Sequence, residues 1–389
     1  MKLSFSLCFV AILSMMVFYS CQKENTESNR LSEPNLPETS YSYYPSSIPA
    51  DLSDLLSTIS PSTNPLTDQG ATLGRVLFYD RALSQNNMVS CGSCHKQQFG
   101  FADNQAFSTG FELKKTKRNS MAILNAASQS GYFWDLRANT LEEQVLMPVK
   151  NHIEMGLENP NVLPIKLNKI SYYPDLFEKA FGSKEITLER ISKAMSQFIR
   201  SMVSVNSKWD QGRAANFTNY TPQEALGKKI FDDSRCSSCH SNNDLRPGWN
   251  FTANIGLDLV YADSGVAALP NASPSQNGEF QIPSLRNIAM TAPYMHDGRF
   301  ATLDEVLDHY STGIKANPYL HWNLRQFTGG GPFEGDPLVN SIQNFGGEVK
   351  PVQFNFTKNQ KEAIIAFLKT LTDENLVNDP KFSDPFVKK

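Results

Sequence analysis

The sequence predicts an all-α fold built from two similar helical halves, and three observations point there. The pattern Cys-x-x-Cys-His occurs twice, as Cys91-Gly92-Ser93-Cys94-His95 and as Cys236-Ser237-Ser238-Cys239-His240. Each copy follows a segment of like spacing, with Gly74, Phe78 and Asp80 before the first and Gly227, Phe231 and Asp233 before the second. Each half closes on a helix pattern: Ala194, Met195, Phe198, Ile199 and Met202 match Ala363, Ile364, Phe367, Leu368 and Leu371. That 3-4 spacing gives a single apolar face. Strand patterning is scarce throughout.

Composition sets the outer bounds. A length of 389 residues with a 40% hydrophobic share suits two or three globular domains. With 36 basic against 39 acidic residues the net charge is -3, which argues against a nucleic-acid binder. The six cysteines are too few for a disulfide-stapled scaffold.

In chain order, residues 1–20 read as a signal peptide, with Lys2, an apolar stretch from Leu3 to Tyr19, and Ser20 before the cut. Cys8 leaves with it. Cys21 then stands where a bacterial lipoprotein is lipidated, which places the protein on the periplasmic side of a membrane. Residues 21–48, rich in Ser, Asn, Glu and Pro, are expected to be a flexible tether in which only Tyr41, Tyr43 and Tyr44 are sizeable apolar groups. Residues 49–205 form the first helical domain, 206–221 a linker, 222–378 the second domain and 379–389 a tail. A further repeat supports the duplication: Tyr132 to Glu143 aligns with Tyr294 to Glu305. Thr357 with Gln360 reads as a capping box on the second closing helix. Asn250 to Gln281 and Gly329 to Gly347 are expected as loops, the former over the second site.

The paired motifs set the chemistry. Two thiols one helical turn apart can each form a thioether to the same porphyrin, and the adjacent histidine then meets the iron. A zinc ribbon or a thioredoxin-like site would leave the histidine after each second cysteine unexplained, twice. The expectation is two cytochrome-c-like domains, each around one covalent haem c.

Together with Phe133-Trp134-Asp135-Leu136-Arg137, Pro283 to Asn287 and Ala292 to Gly298, these motifs resemble the bacterial dihaem cytochrome c peroxidases, including the MauG-type maturation enzymes. The likeness runs over about residues 50 to 378. It implies reduction of hydrogen peroxide to water at the first haem, with electrons taken in at the second from a small donor such as a cytochrome c or cupredoxin. It implies that His95 and His240 are iron ligands and that Trp134 lies between the haems. Gln144 and Glu154 would then form the polar pair over the peroxide site. A carboxyl group there can carry a proton between the two peroxide oxygens, and His152 is close enough in sequence to share that duty. Asn119, Thr291 and Pro293 match the family's calcium site, as hard oxygen donors. A homodimer is also expected; nucleic acid is not.

Two positions depart from the peroxidase pattern. Seven residues before Arg118-Asn119-Ser120, where many of these peroxidases carry a histidine that blocks the first haem, this chain has Phe111. A phenyl ring cannot ligate iron, so that haem is expected to be five-coordinate. Fourteen residues after His296, where the peroxidases carry a methionine, stands Tyr310, as in the MauG type. A phenolate favours Fe(III) and lowers the potential. Met290, Met295 and His309 are rival ligands. The readings that follow are a dihaem peroxidase, a MauG-like oxidase of a protein side chain, and a purely electron-carrying dihaem cytochrome.

Overall fold

Helix-favouring caps and apolar stripes dominate the chain, and the computed structural model is accordingly helix-rich. It describes residues 33–45, 48–49, 55–241, 252–326 and 349–386. The expected signal, Cys8, Cys21 and the loop Gly329 to Gly347 lie outside the described residues. The helices used here fall within the unit Leu36–Pro385. They are α1 Leu55–Ile59, α2 Asp68–Tyr79, α3 Cys91–Cys94, α4 Leu141–Gln144, α5 Met147–Lys150, α6 Val162–Asn168 and α7 Tyr173–Phe181, followed by α8 Leu188–Arg200, α9 Lys208–Ala214, α10 Pro222–Asp233, α11 Cys236–Cys239, α12 Leu303–Asp308, α13 Lys358–Lys369 and α14 Glu374–Asn378. The only sheet among the described residues pairs β1 Thr252–Ala253 with β2 Phe280–Gln281, antiparallel.

Two helix pairs organise the fold in the same way. In the first, α2 lies on α8 so closely that a Cβ on Gly74 would stand 2.0 Å from the Ala194 carbonyl oxygen. In the second, α10 lies on α13, and a Cβ on Gly227 would stand 1.9 Å from the Ala363 carbonyl oxygen. Only glycine permits either approach. Behind them the ring of Phe78 meets Phe198 at 5.4 Å, and Phe231 meets Phe367 at 5.2 Å. The capping box of Thr357 and Gln360 starts α13, and Thr221 with Glu224 starts α10 in the same manner.

A second matched feature ties each closing helix down. Asn125 and Asn287 both adopt the left-handed conformation, at φ 55° and 59°. Their backbone N–H groups donate to Met202 and Leu371. Their side-chain oxygens accept from the N–H of Ser204 and of Asp373, at 2.6 and 2.8 Å. The Asn287 amide also donates to Ser204 Oγ at 2.8 Å, so the two clasps share a partner.

Three expectations about the connecting segments need correction. The tether does not run to residue 48: Tyr43 is fully buried, its N–H bonded to Asp68 and its ring set against Phe198 and Phe382. One well-placed aromatic anchors a stretch whose average composition is polar. Residues 379–384 are not a free tail. Phe382 is buried, its carbonyl accepts from Tyr79 Oη at 2.7 Å, and the Ser383 carbonyl accepts from Arg75 Nε at 2.6 Å. Residues 206–221 are no spacer either. Ser207 and Asp210 box the start of α9, Trp209 joins the core around Phe231 and Phe367, and Asp210 takes a bidentate, buried pair of bonds from Arg286 at 2.8 and 2.9 Å.

Candidate active site

The first motif is presented by α3. Ser90 and Ser93 cap it reciprocally, and Gly92 lets the helix rest on the ring of Tyr79, where a Cβ would fall 2.4 Å from Cδ1. His95 follows at the C-terminal end. Its Nδ1 lies 3.0 Å from the Phe101 carbonyl oxygen and 3.3 Å from Ser120 Oγ. A carbonyl can only accept, so Nδ1 carries the hydrogen and Nε2 keeps its lone pair free for a metal. Phe101 is held for this task by a turn through Gly100 at φ 62°. Below the turn, Lys96, Ser108 and Asp103 form a short polar network.

Glu154 reaches this site electrostatically: its charge is felt at both Cys91 and Cys94. Desolvation raises its carboxyl above the usual range, and the neighbouring Arg137 guanidinium partly offsets that. The loop carrying Glu154 is pinned to Phe111, whose N–H donates to the carbonyls of Ile153 and Glu154 at 2.8 and 2.9 Å. The Phe111 ring fills the space over Gly156, where a Cβ would stand 2.6 Å away. Gln144 ends α4 half-buried, while His152 is exposed.

The second motif, on α11, opens into an apolar cavity bordered by Cys236, Cys239, His240, Met295, Tyr310 and His321. The segment 252–281 supplies part of its wall through Ala253, Ile255, Leu257 and Phe280, and in place of the expected loop its two ends pair as β1 and β2. Tyr310 belongs to a π-helical turn, His309–Gly313, that continues α12. Such a turn rotates side chains off the regular helical face. Burial pushes the Tyr310 phenol well above its ordinary value. The rival ligands fare differently. His309 Nε2 is engaged by the Ile255 carbonyl at 3.0 Å. Met290 packs toward Gly100 of the other half. Met295 does border the cavity, packed with Trp134 against the cluster of Leu257, Tyr261 and Phe280.

Between the motifs lies Asn119. Its carbonyl accepts from Trp134 Nε1 at 2.9 Å, and its N–H donates to the His296 carbonyl at 2.7 Å. Trp134 and His296 are the matched positions of the repeat, each preceded by a left-handed residue, Phe133 and Met295. A connected path therefore runs from His95 through Ser120 and Asn119 to Trp134 at the wall of the second cavity. Asn119, Thr291 and Pro293 all border that cavity. The Asn119 amide nitrogen donates to the carbonyls of Gln105 and Ala106.

The donor chemistry fits a covalent haem at each motif. Burial pushes the Cys91 and Cys94 thiols up, to about 12 and about 11. Among the described residues no three His, Cys, Asp or Glu side chains converge on a metal position, so the two cysteine pairs do not combine. No site role is read from the sequence for Phe101, Ser120, Arg137 or His321. The His95 contact of Phe101 is made by a backbone carbonyl, which no residue type advertises.

Comparison with known proteins agrees with this geometry. A family model for di-haem cytochrome c peroxidase matches residues 68–216. The chain is similar to the methylamine utilization protein MauG of Methylophilus methylotrophus, 32% identical over 326 residues that span 82% of this chain and 92% of that one. It is equally similar to the cytochrome c551 peroxidase of Nitrosomonas europaea, at 32% over 320 residues, 82% of this chain and 83% of that one. A solved MauG-like protein associated with microbial copper homeostasis has a TM-score of 0.72 and 32% identity, covering 88% of this chain and 98% of that one.

Proposed function

Because the chain belongs to the di-haem cytochrome c peroxidase family, we propose that it reduces hydrogen peroxide to water in the His95 half, with electrons taken in through the His240 half. Each half is then a haem domain of an internal duplication. The observation that carries the reading is an asymmetry. The first motif has a desolvated carboxyl, Glu154, beside it, while the second has the phenol of Tyr310.

Cys91 and Cys94 would hold one haem and Cys236 and Cys239 the other, with His95 and His240 as iron ligands; the bound iron supplies the site where peroxide binds and is cleaved. The protein's part is orientation and proton handling. The Phe101 carbonyl fixes the His95 ring with Nε2 outward. Glu154, its proton affinity raised, takes a proton from one peroxide oxygen and returns it to the other, with Gln144 as the polar partner. Phe111 holds that loop in place and offers no ligand. Trp134, hydrogen-bonded to Asn119, offers an aromatic relay between the halves. Asn119, Thr291 and Pro293 would hold a calcium ion at their junction. The protein acts on the periplasmic side, lipid-anchored at Cys21 and supplied by a small redox protein. Among the described residues no helix is long and apolar enough to cross a membrane.

Tyr310 favours a second reading, a MauG-like oxidase that withdraws electrons from a protein side chain. Electron paramagnetic resonance of the ferric holoprotein tests the site. One high-spin component that vanishes on adding peroxide is expected, and two unresponsive low-spin signals would leave only an electron carrier. Steady-state peroxide turnover with reduced cytochrome c then separates peroxidase from protein oxidase. In Glu154→Gln, kcat should fall on the order of 10²- to 10⁴-fold with little change in haem content. Undiminished turnover would remove Glu154 from the mechanism.

A further inference from the structure

A ladder of aromatic rings leaves the first motif. It starts at Tyr79, whose ring carries the backbone of Gly92 between the two cysteines. From there the ring centroids follow at 5.0 Å to Phe78, 5.4 Å to Phe198, 6.1 Å to Tyr43 and 6.4 Å to Tyr41. Tyr79 and Tyr43 are buried, and Tyr41 is partly exposed. Among the described residues of the second half the matching phenylalanine pair, Phe231 and Phe367, continues into no such ladder: Asp232 stands where Tyr79 does and pairs with Lys228 on the surface. Packing alone therefore does not call for the tyrosines.

The hydrogen bonds decide where an electron vacancy would come to rest. Tyr79 donates its hydroxyl to the Phe382 carbonyl at 2.7 Å and Tyr43 to the Lys381 carbonyl at 3.2 Å. A backbone carbonyl takes up no proton, and the Thr72 hydroxyl and Arg75 guanidinium that also meet Tyr43 are not bases, so both phenols lack a hydrogen-bonded proton acceptor as they are oxidised. Tyr41 has solvent within reach. The Arg75 guanidinium lies 5.5 Å from its ring centroid and opposes a second positive charge there, so electron and proton must leave together.

We propose that this ladder is an outlet for oxidising equivalents from the first haem site, ending at Tyr41. The proposal rests on the peroxidase reading. When peroxide has been reduced there and no donor is at hand, one electron passes from Tyr41 through the rings to the oxidised site. The phenolic proton passes to water, and a neutral tyrosyl radical remains at Tyr41. The radical is then open to reduction by a small solvent-borne reductant, and the vacancy never settles on the buried core.

The test uses the holoprotein mixed with one equivalent of hydrogen peroxide and no reductant. Its readouts are the optical haem spectrum, freeze-quench paramagnetic resonance, and peptide mapping of a nitroso spin-trap adduct. A tyrosyl radical and an adduct at Tyr41 are expected. Tyr41→Phe should abolish the adduct, and Tyr43→Phe should reduce it to background, with the optical response to peroxide kept in both. An optical response with an adduct elsewhere and Tyr41 unmodified, or a radical unchanged in Tyr41→Phe, overturns the ladder alone. A haem spectrum indifferent to peroxide overturns the peroxidase reading and the ladder with it.

Discussion

The two halves share a frame and differ in what fills it. Gly74 and Gly227 make the same helix crossing, Asn125 and Asn287 the same clasp, and Phe133 and Met295 the same left-handed turn. At matched side-chain positions the halves diverge. Asp80 is buried and accepts from the hydroxyls of Tyr172 and Tyr173 at 2.8 and 2.6 Å, whereas Asp233 pairs with Lys229 at the surface. Trp134 faces His296 across Asn119. The lesson is that close backbone approaches, which only glycine or a left-handed Asn serves well, carry the architecture. Side chains free of that duty carry the chemistry.

The frame can be broken symmetrically. Gly74→Ala and Gly227→Ala should each destabilise by about 3 kcal/mol or more, because the new methyl meets a carbonyl oxygen that cannot retreat. Chemical denaturation of the holoprotein measures it, and tolerance of one substitution but not the other would end the equivalence. The fillings should break asymmetrically. Asp80→Ala removes the acceptor of the buried Tyr173 hydroxyl, of the half-buried Tyr172 hydroxyl and of the Ala82 N–H, at a cost of about 2–3 kcal/mol. Asp233→Ala should stay within about 0.5 kcal/mol of the parent protein.

The smallest effect concerns acid stability. Glu142 accepts two bonds from Arg200, at 2.6 and 2.7 Å, and one from Asn64, and these hold its carboxyl below the ordinary range against the desolvation that would raise it. Its matched residue, Asp304, lies exposed beside Lys361. A depressed folded-state value means that the Glu142 contribution is complete above the unfolded value, about pH 4.5, and is lost as pH falls through the folded one. Glu142→Gln should therefore cost about 1 kcal/mol at pH 7 and much less at pH 3, read as converging melting temperatures. Asp304→Asn should show almost no such convergence.

The sequence was most readable where a motif and a mechanical need coincide. The cysteine pairs and the Thr357 box could be placed in advance because each residue type is close to obligatory there, whereas Gly74 and Gly227 showed only as a repeat and not as helix crossings. The setting of Glu154 was less readable, since Arg137 and Phe111 act on it from distant points in the chain. The connections were misread for a related reason. In residues 21–48 and 379–389 a window of polar composition hides single anchors, Tyr43 and Phe382, whose partners lie in the first half. Around Trp209, the box formed by Ser207 and Asp210 was a helix signal that the expectation of a link obscured. The π turn at Tyr310 has no signature in the spacing of apolar residues read for the helices.

The position of Phe382 bears on the order of assembly. Tyr79, Arg75 and Tyr43 in the first half all complete their bonding with residues 381–383, which leave the ribosome only after the whole second half has been made. The first half to be synthesised is thus the last to be finished, and a bulky fusion or nick near residue 380 should loosen the Cys91 motif while leaving the Cys236 motif intact.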